Sequence, residues 1–211
     1  LRIGTVDSLA TSIFAELIDA YHRINPYVQI RLEISRTEEL VSKLNHNELD
    51  LMHTLDEKIY APDLVKTSEH PERILFVTSD KRFKGKKLRL EDIVNEPFLL
   101  TEENASYRYE LERYLASRSL SLETMVEVGN TDVIVKLLKK GLGISFVPYF
   151  SVKEDLEEGS LFELDLNVPE FYIWSQIFHH KQKYLNEAML DWIALTQEYY
   201  ASVKKKHQKS P

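Results

Sequence analysis

Four short segments concentrate the side chains best suited to holding a ligand. Ser8, Thr11 and Ser12 precede or open a predicted helix; Ser35, Arg36 and Thr37 begin a second; Thr101, Asn104 and Ser106 lead into a third; Gly129, Asn130, Thr131 and Asp132 lead into a fourth. At a helix start, free backbone N–H groups and the positive end of the helix dipole converge with hydroxyl and amide side chains, which suits a small polar or anionic ligand. The same residue types are also ordinary N-caps, so each segment has a structural reading beside the binding one. Ser35 with Glu38 fits an S-x-x-E capping box, and Thr37 is the alternative cap that would face a ligand. Arg36 adds charge or a surface ion pair. Tyr107 and Arg108 adjoin the third segment, and Val133 or Phe146 would supply apolar lining near the fourth. His53, close to a predicted strand end, completes the set, with a hydrogen-bonded or solvent-facing imidazole as the other reading.

Catalytic constellations are missing. The chain has no G-x-S-x-G elbow, no H-E-x-x-H and no P-loop, and its lack of cysteine excludes disulfides, thiolate metal sites and thiol nucleophiles. Glu102-Glu103 and His179-His180 are the nearest candidates, but neighbours in an extended segment point to opposite faces, so neither pair converges on one atom. No enzyme activity, cofactor or metal is expected. A net charge of −7 leaves no basic footprint for nucleic acid, and Lys204-Lys205-Lys206 reads as a solvated, frayed tail. There is no apolar stretch of transmembrane length and no signal-peptide pattern, so no membrane contact and a cytoplasmic location are expected. Opening inside a strand, the chain reads as an excised domain.

The elements that must place these residues follow from periodicity. At 211 residues, 43% hydrophobic and 29% charged, the chain can bury a core as one large or two small domains. Arg2 to Val6 reads as a strand; Leu9, Ile13, Phe14, Leu17, Ile18 and Tyr21 trace one helix to about Arg23, which Asn25-Pro26 stops. Val28, Ile30, Leu32 and Ile34 alternate as a strand; Leu40, Val41 and Leu44 mark a helix; Leu49 and Leu51 start a third strand. This β-α-β-α-β order implies a parallel, helix-covered sheet. A second α/β unit runs through strands at 97–100, 124–128 and 144–147 and helices at 107–118 and 131–140, before a strand at 171–178 and a final amphipathic helix. Gly141 suits the left-handed cap that ends the 131–140 helix, Gly143 a narrow turn, and Ile144, Phe146 and Val147 a buried parallel strand that Pro148 stops.

The run Gly141-Leu142-Gly143-Ile144-Ser145-Phe146-Val147-Pro148, followed by Glu158-Gly159-Ser160-Leu161, together with Asn25-Pro26, Thr37-Glu38-Glu39-Leu40 and Leu49-Asp50-Leu51, resembles the ligand-sensing half of LysR-type transcriptional regulators. The resemblance extends from Leu1 to about Tyr200. It implies a type 2 periplasmic-binding-protein-like α/β fold: lobe I from 1–75 plus 176–211, lobe II from 76–175, a ligand cleft between them and crossings at 73–78 and 171–177. It further implies that hydroxyls at Ser8 and Thr37 hold the carboxylate, or a similar acceptor, of a small-molecule effector. Partners would be a second copy in a homodimer or tetramer, with the 9–23 helix and second strand of one chain against the 131–140 helix of the other. DNA would be bound only through an N-terminal winged helix-turn-helix that this chain lacks. Asn47 stands where the pattern usually has Gly, and Met52-His53-Thr54 departs from the usual small or apolar continuation. A periplasmic solute-binding protein of the same fold, for a small anion or amino acid, is the alternative; the motif set and the absent secretion signal favour the regulator.

Overall fold

The structure, a computed structural model, describes residues 1–103 and 105–207, with side chains to residue 202. Along the chain the elements are β1 (Arg2–Thr5), α1 (Asp7–Ser12), α2 (Phe14–Ile24), β2 (Arg31–Ile34), α3 (Thr37–Asn45), β3 (Leu51–Asp56), β4 (Leu64–Thr78), β5 (Lys87–Leu88), β6 (Pro97–Leu100), α4 (Ser106–Ser117), β7 (Glu123–Glu127), α5 (Thr131–Lys139), β8 (Ile144–Pro148), α6 (Tyr149–Glu158), β9 (Phe162–Glu163), β10 (Asp165–Leu166), β11 (Phe171–His180) and α7 (Glu187–His207). The chain divides into two compact units, Leu1–Pro71 with Trp174–Pro211, and Glu72–Ile173. Strands β4 and β11 run from one unit into the other.

In the first unit β1 pairs in parallel with β2 on one side and β3 on the other, as the β-α-β-α-β order requires, and β11 joins β3 antiparallel. One face of this sheet packs Leu40, Leu44, Leu49, Met52 and Phe178 under α3. The other buries Phe14, Tyr21 and Trp192, where α2 meets α7, with ring centroids 5.6 Å apart for Phe14–Trp192 and 5.3 Å for Tyr21–Trp192. Each such enclosed ring contributes roughly 2–3 kcal/mol. The Asp50 of Leu49-Asp50-Leu51 ties the sheet together: it accepts from the Arg2 backbone N–H and guanidinium, both at 2.7 Å, and pairs with Lys183 at 2.6 Å. Burial opposes its ionisation, but the hydrogen bonds from Arg2 and Lys183 outweigh this and hold the carboxyl far below its usual range. Asn47 adopts φ +57°, so it takes the left-handed turn in place of glycine.

Two expectations for this unit are corrected. The single helix to Arg23 is divided at Ile13, and within the first piece Thr11 Oγ1 donates back to the Asp7 carbonyl at 3.1 Å, a kind of contact that bends helices. The Ser35–Glu38 capping box does not form. The N-cap is Arg36, and the Ser35 hydroxyl donates to Glu39 instead.

The second unit orders its sheet β4-β8-β6-β7. Strand β8 pairs in parallel with β6, as expected, but antiparallel with β4, because β4 enters the unit from the opposite direction. Leu75, Val77, Leu99, Ile134, Val135, Leu138, Val147, Val152 and Leu161 fill one face beneath α5 and α6; Phe76, Phe98 and Phe146 fill the other. Helix α6 is absent from the sequence reading, which stopped at Pro148; Pro148 is its N-cap, and Gly159 at φ +73° is its left-handed C-cap. The final helix likewise continues to His207, past the point where a frayed tail was expected.

The passage from α5 to β8 is the tightest place in this unit. Gly141 (φ +80°) and the Leu142 N–H, which donates to the Leu137 carbonyl, close a Schellman-type cap. At Gly143 (φ +142°) a Cβ would lie 2.1 Å from the Pro97 carbonyl oxygen, a backbone atom that cannot swing aside. Gly143→Ala is therefore expected to destabilise the protein by about 4 kcal/mol or more, combining left-handed strain with backbone collision; denaturant unfolding measures this, and a loss no larger than that of Gly85→Ala, whose Cβ meets nothing within 4 Å, would refute it. A second expectation concerns Glu72, whose carboxyl burial pushes up to about 8. Between the ordinary value of about 4.3 and this one, the native state binds a proton the unfolded chain lacks, so stability falls as pH rises through that window. Glu72→Gln should gain about 2 kcal/mol at neutral pH and nothing near pH 4, as read from melting curves at the two conditions.

Candidate functional site

Loops at the carboxyl ends of parallel strands carry the hydroxyl residues in both units, the edge at which open parallel sheets receive ligands. In the first unit, register brings Thr5 opposite both Ile34 and His53, so the segments that follow β1 and β2 come level with Thr54 in β3. Ser8 stands in the first turn of α1, 7% exposed. Thr37 opens α3, and its Oγ1 shares a 2.7 Å hydrogen bond with Oγ1 of the fully buried Thr54. Thr5 Oγ1 donates to the His53 carbonyl at 2.8 Å and fastens β1 to β3 beneath them.

The other first-unit candidates are turned to structural work. Thr11 is bonded to its own helix and Ser35 to Glu39; Arg36 is exposed. His53 is corrected from a ligand-facing position to a core one, because alternation along β3 sends it to the face opposite Thr54. Its Nε2 lies 2.7 Å from Ser175 Oγ, which is in turn 2.6 Å from Tyr200 Oη, and its ring sits 5.5 Å from that of Phe14. Burial, with the nearby His70 as a lesser cause, pushes its pKa down to about 3.

In the second unit Thr101 follows β6, 4% exposed, and Thr131 opens α5, 2% exposed. Asn130 is the N-cap of α5, its Oδ1 accepting from the Val133 N–H at 3.1 Å. Arg108 is buried and committed: it donates to the Thr101 carbonyl, to Glu127 at 2.9 Å and to Glu112 at 2.8 Å, clamping the loop after β6 to α4 and β7. Phe146 is corrected from site lining to core, enclosed between Phe76 and Phe171 at 4.7 and 5.1 Å. Val133 is exposed on α5, and Asn104 lies outside the described residues.

The hydroxyl loops are distinct from two concavities elsewhere. One of about 410 Å³ lies among Arg73, Phe76, Glu163, Leu166, Glu170 and Phe171, and one of about 210 Å³ among Arg2, Arg31, Glu33, Glu48 and Leu49. Among the charged residues there, Arg73 is paired with Glu163 and Arg2 with Asp50. Among the described residues no group of three His, Asp or Glu could hold a metal ion, and no helix is long and apolar enough to cross a membrane. Thr54 was not among the candidates drawn from the sequence, yet it lies beside Thr37. For Thr54 the signal was available: Met52 packs against α3, so the residue two further on faces the same helix.

The profile of the LysR substrate binding domain matches residues 1–201. The chain belongs to the LysR substrate-binding domain family. Among its relatives, the regulator CzcR of Bacillus subtilis is 28% identical over 196 residues, covering 90% of this chain and 63% of that protein. The regulator GltR of the same organism is 23% identical over 200 residues, covering 95% and 67%. The chain thus spans about two thirds of the length of these relatives. Solved structures share the fold: the regulatory domain of HypT from Salmonella typhimurium has a TM-score of 0.76 at 17% identity, with 96% of this chain and 95% of that one covered. The CcmR regulatory domain of Synechocystis, in complex with 2-PG, has a TM-score of 0.74 at 17% identity, each chain 96% covered. The architecture of this LysR domain is accordingly the type 2 periplasmic-binding-protein-like fold, and its relatives are regulators rather than periplasmic solute carriers.

The placement of His53 in the core of this LysR domain has a direct consequence. Its ring remains neutral through mild acid, so its NMR signals should not move between about pH 5 and pH 8, where an ordinary histidine titrates. Signals that move through that range would return the imidazole to an open position.

Proposed function

We propose that this chain is the effector-sensing domain of a LysR-type transcriptional regulator, binding a small polar or anionic molecule through hydroxyl residues at the carboxyl ends of its parallel strands. The observation that carries the reading, beside family membership, is that Ser8, Thr37, Thr54, Thr101 and Thr131 are each largely or fully enclosed in strand-to-helix loops or at the carboxyl end of a parallel strand. A core does not need hydroxyls there, whereas a polar ligand does. Similar domains have been solved with small molecules bound, 2-PG in CcmR of Synechocystis and shikimate in QuiR.

In this reading the chain catalyses nothing. Ligand binding shifts a conformational equilibrium, which a cytoplasmic homodimer or tetramer transmits to operator DNA held by separate N-terminal winged helix-turn-helix domains. Self-association is supported by apolar side chains left in water on or beside the expected faces: Ile24 at the end of α2, Ile34 on the edge strand β2, and Val133 on α5.

Thermal melting against small carboxylates, amino acids, phosphates and sulfate tests the sensing role. A ligand at a hundred times its Kd stabilises the native state by about 2.7 kcal/mol. We expect that shift in the native protein and its loss in both Ser8→Ala and Thr37→Ala. A shift retained in both variants would place the ligand elsewhere, and no shift with any compound would remove the sensing function.

A further inference from the structure

At the carboxyl end of β6, in the second unit, two consecutive residues each hold an enclosed polar atom with no hydrogen-bond partner among the described residues. Thr101 is 4% exposed, and its Oγ1 is buried and unpaired. Glu102 holds Oε2 in the same condition, against the turn that opens α5: a Cβ added at Gly129 would come within 2.9 Å of it. Glu103, the neighbour once paired with it as a candidate acid–base couple, is exposed.

The surrounding groups are satisfied. The Ala105 N–H donates to the Glu102 carbonyl, the Val128 N–H to the Leu100 carbonyl, the Val133 N–H to Asn130, and Arg108 is spent on Thr101 O, Glu112 and Glu127. The loops are therefore held in place while Thr101 Oγ1 and Glu102 Oε2 stay unpaired. An unpaired buried polar group is costly, more so when charged, and such groups in a well-bonded setting mark a contact the chain reserves for something else.

We propose that Glu102 determines effector specificity: its carboxyl oxygen accepts a hydrogen bond from a hydroxyl or ammonium group of the ligand, beside the Thr101 hydroxyl. The effector is then a small acid that also carries a donor, a hydroxy acid or an amino acid, and not a plain carboxylate or an inorganic anion. This inference rests on the sensing function proposed above and narrows it.

The test uses matched pairs that differ only in the donor: lactate and L-alanine against propionate, glycolate and glycine against acetate, malate and L-aspartate against succinate. Binding is read by thermal melting and calorimetry with the native chain, Glu102→Gln, Glu102→Ala and Thr101→Val. We expect a donor-bearing acid to bind about ten-fold or more tightly than its bare partner, because a site built around a donor rejects the analogue that lacks it. Glu102→Ala should bring that ratio close to one. Glu102→Gln separates the two donor types, since it should keep a hydroxy acid and lose an ammonium ligand. Without ligand, Glu102→Ala and Thr101→Val should melt at or above the native temperature; a lower melting point in both would make these residues structural and overturn the proposal. A ratio unchanged in Glu102→Ala, or no donor-bearing acid binding at millimolar concentration, overturns it as well. Bare acids that bind as well as their partners, with the shift lost in Thr37→Ala, overturn the role of Glu102 and leave the sensing function standing.

Discussion

The second unit depends on a place where the chain has no room for a side chain. Between the last turn of α5 and the first residue of β8 the backbone must reverse, cap the helix and slip beneath the Pro97 carbonyl within about one turn's length. Gly141 supplies the left-handed cap, and Gly143 supplies the close approach, with a hypothetical Cβ 2.1 Å from backbone oxygen. Side chains from outside the junction secure it. Thr78 Oγ1 donates to the Gly143 carbonyl at 2.7 Å and Ser79 Oγ to the Leu138 carbonyl at 2.5 Å, so the end of β4 fastens both halves of the turn. Seated this way, β8 gives β6 its second parallel neighbour beside β7, and the loops after β6 and β7 follow adjacent strands.

Much of this was legible in the sequence, because the signals were local and strong. Gly141 and Gly143 before an apolar run, Leu49-Asp50-Leu51, and the alternation of short β runs with amphipathic stretches all report backbone demands that few other residues satisfy. Asn47 shows the logic at one position: an asparagine accepts the left-handed conformation, so the turn survives the absence of glycine. What escaped were features decided by partners distant in the chain. Pro148 reads as a strand terminator, yet the same fixed φ that ends β8 is compatible with opening α6 directly behind it. The antiparallel pairing of β8 with β4 is set by the direction in which β4 enters the unit, which no window around residue 146 contains. The break at Ile13 leaves the apolar spacing of the two helical pieces intact, so periodicity does not register it.

The candidate residues divided along a physical line that sequence position blurs. Hydroxyl residues at helix starts have two uses, and the structure separates them by where the oxygen goes. Thr11 and Ser35 spend theirs on their own helices, and Asn130 caps α5. Thr37 instead reaches across to Thr54 on a different strand, which makes a hydroxyl pair at the sheet's carboxyl end and leaves the N-cap of α3 to Arg36. His53 and Thr54 are neighbours in sequence and opposites in environment: the pleat sends one into the aromatic core beneath α7 and the other toward α3. A polar residue near a strand end is thus informative only once its face is known.

Unsatisfied polar atoms need the same discrimination. His53 Nδ1 and Trp192 Nε1 also lack partners among the described residues, but both belong to fully enclosed rings in the core of the first unit, where the apolar bulk of the ring secures the position and one unpaired nitrogen is a tolerated cost. Thr101 and Glu102 have no such reason to be where they are. A carboxyl group contributes little apolar burial, and a neighbouring cation, Arg108, is bonded to Glu112 and Glu127 instead. Stability selected alone would pair Glu102 or replace it; keeping it unpaired beside a glycine that leaves space for its oxygen is the pattern expected where stability is given up for recognition. Arg108 then acts as a clamp: by fixing the loop after β6 through backbone and side-chain contacts, it holds the two unpaired groups in one orientation, which spares a ligand of the kind proposed the cost of ordering the loop.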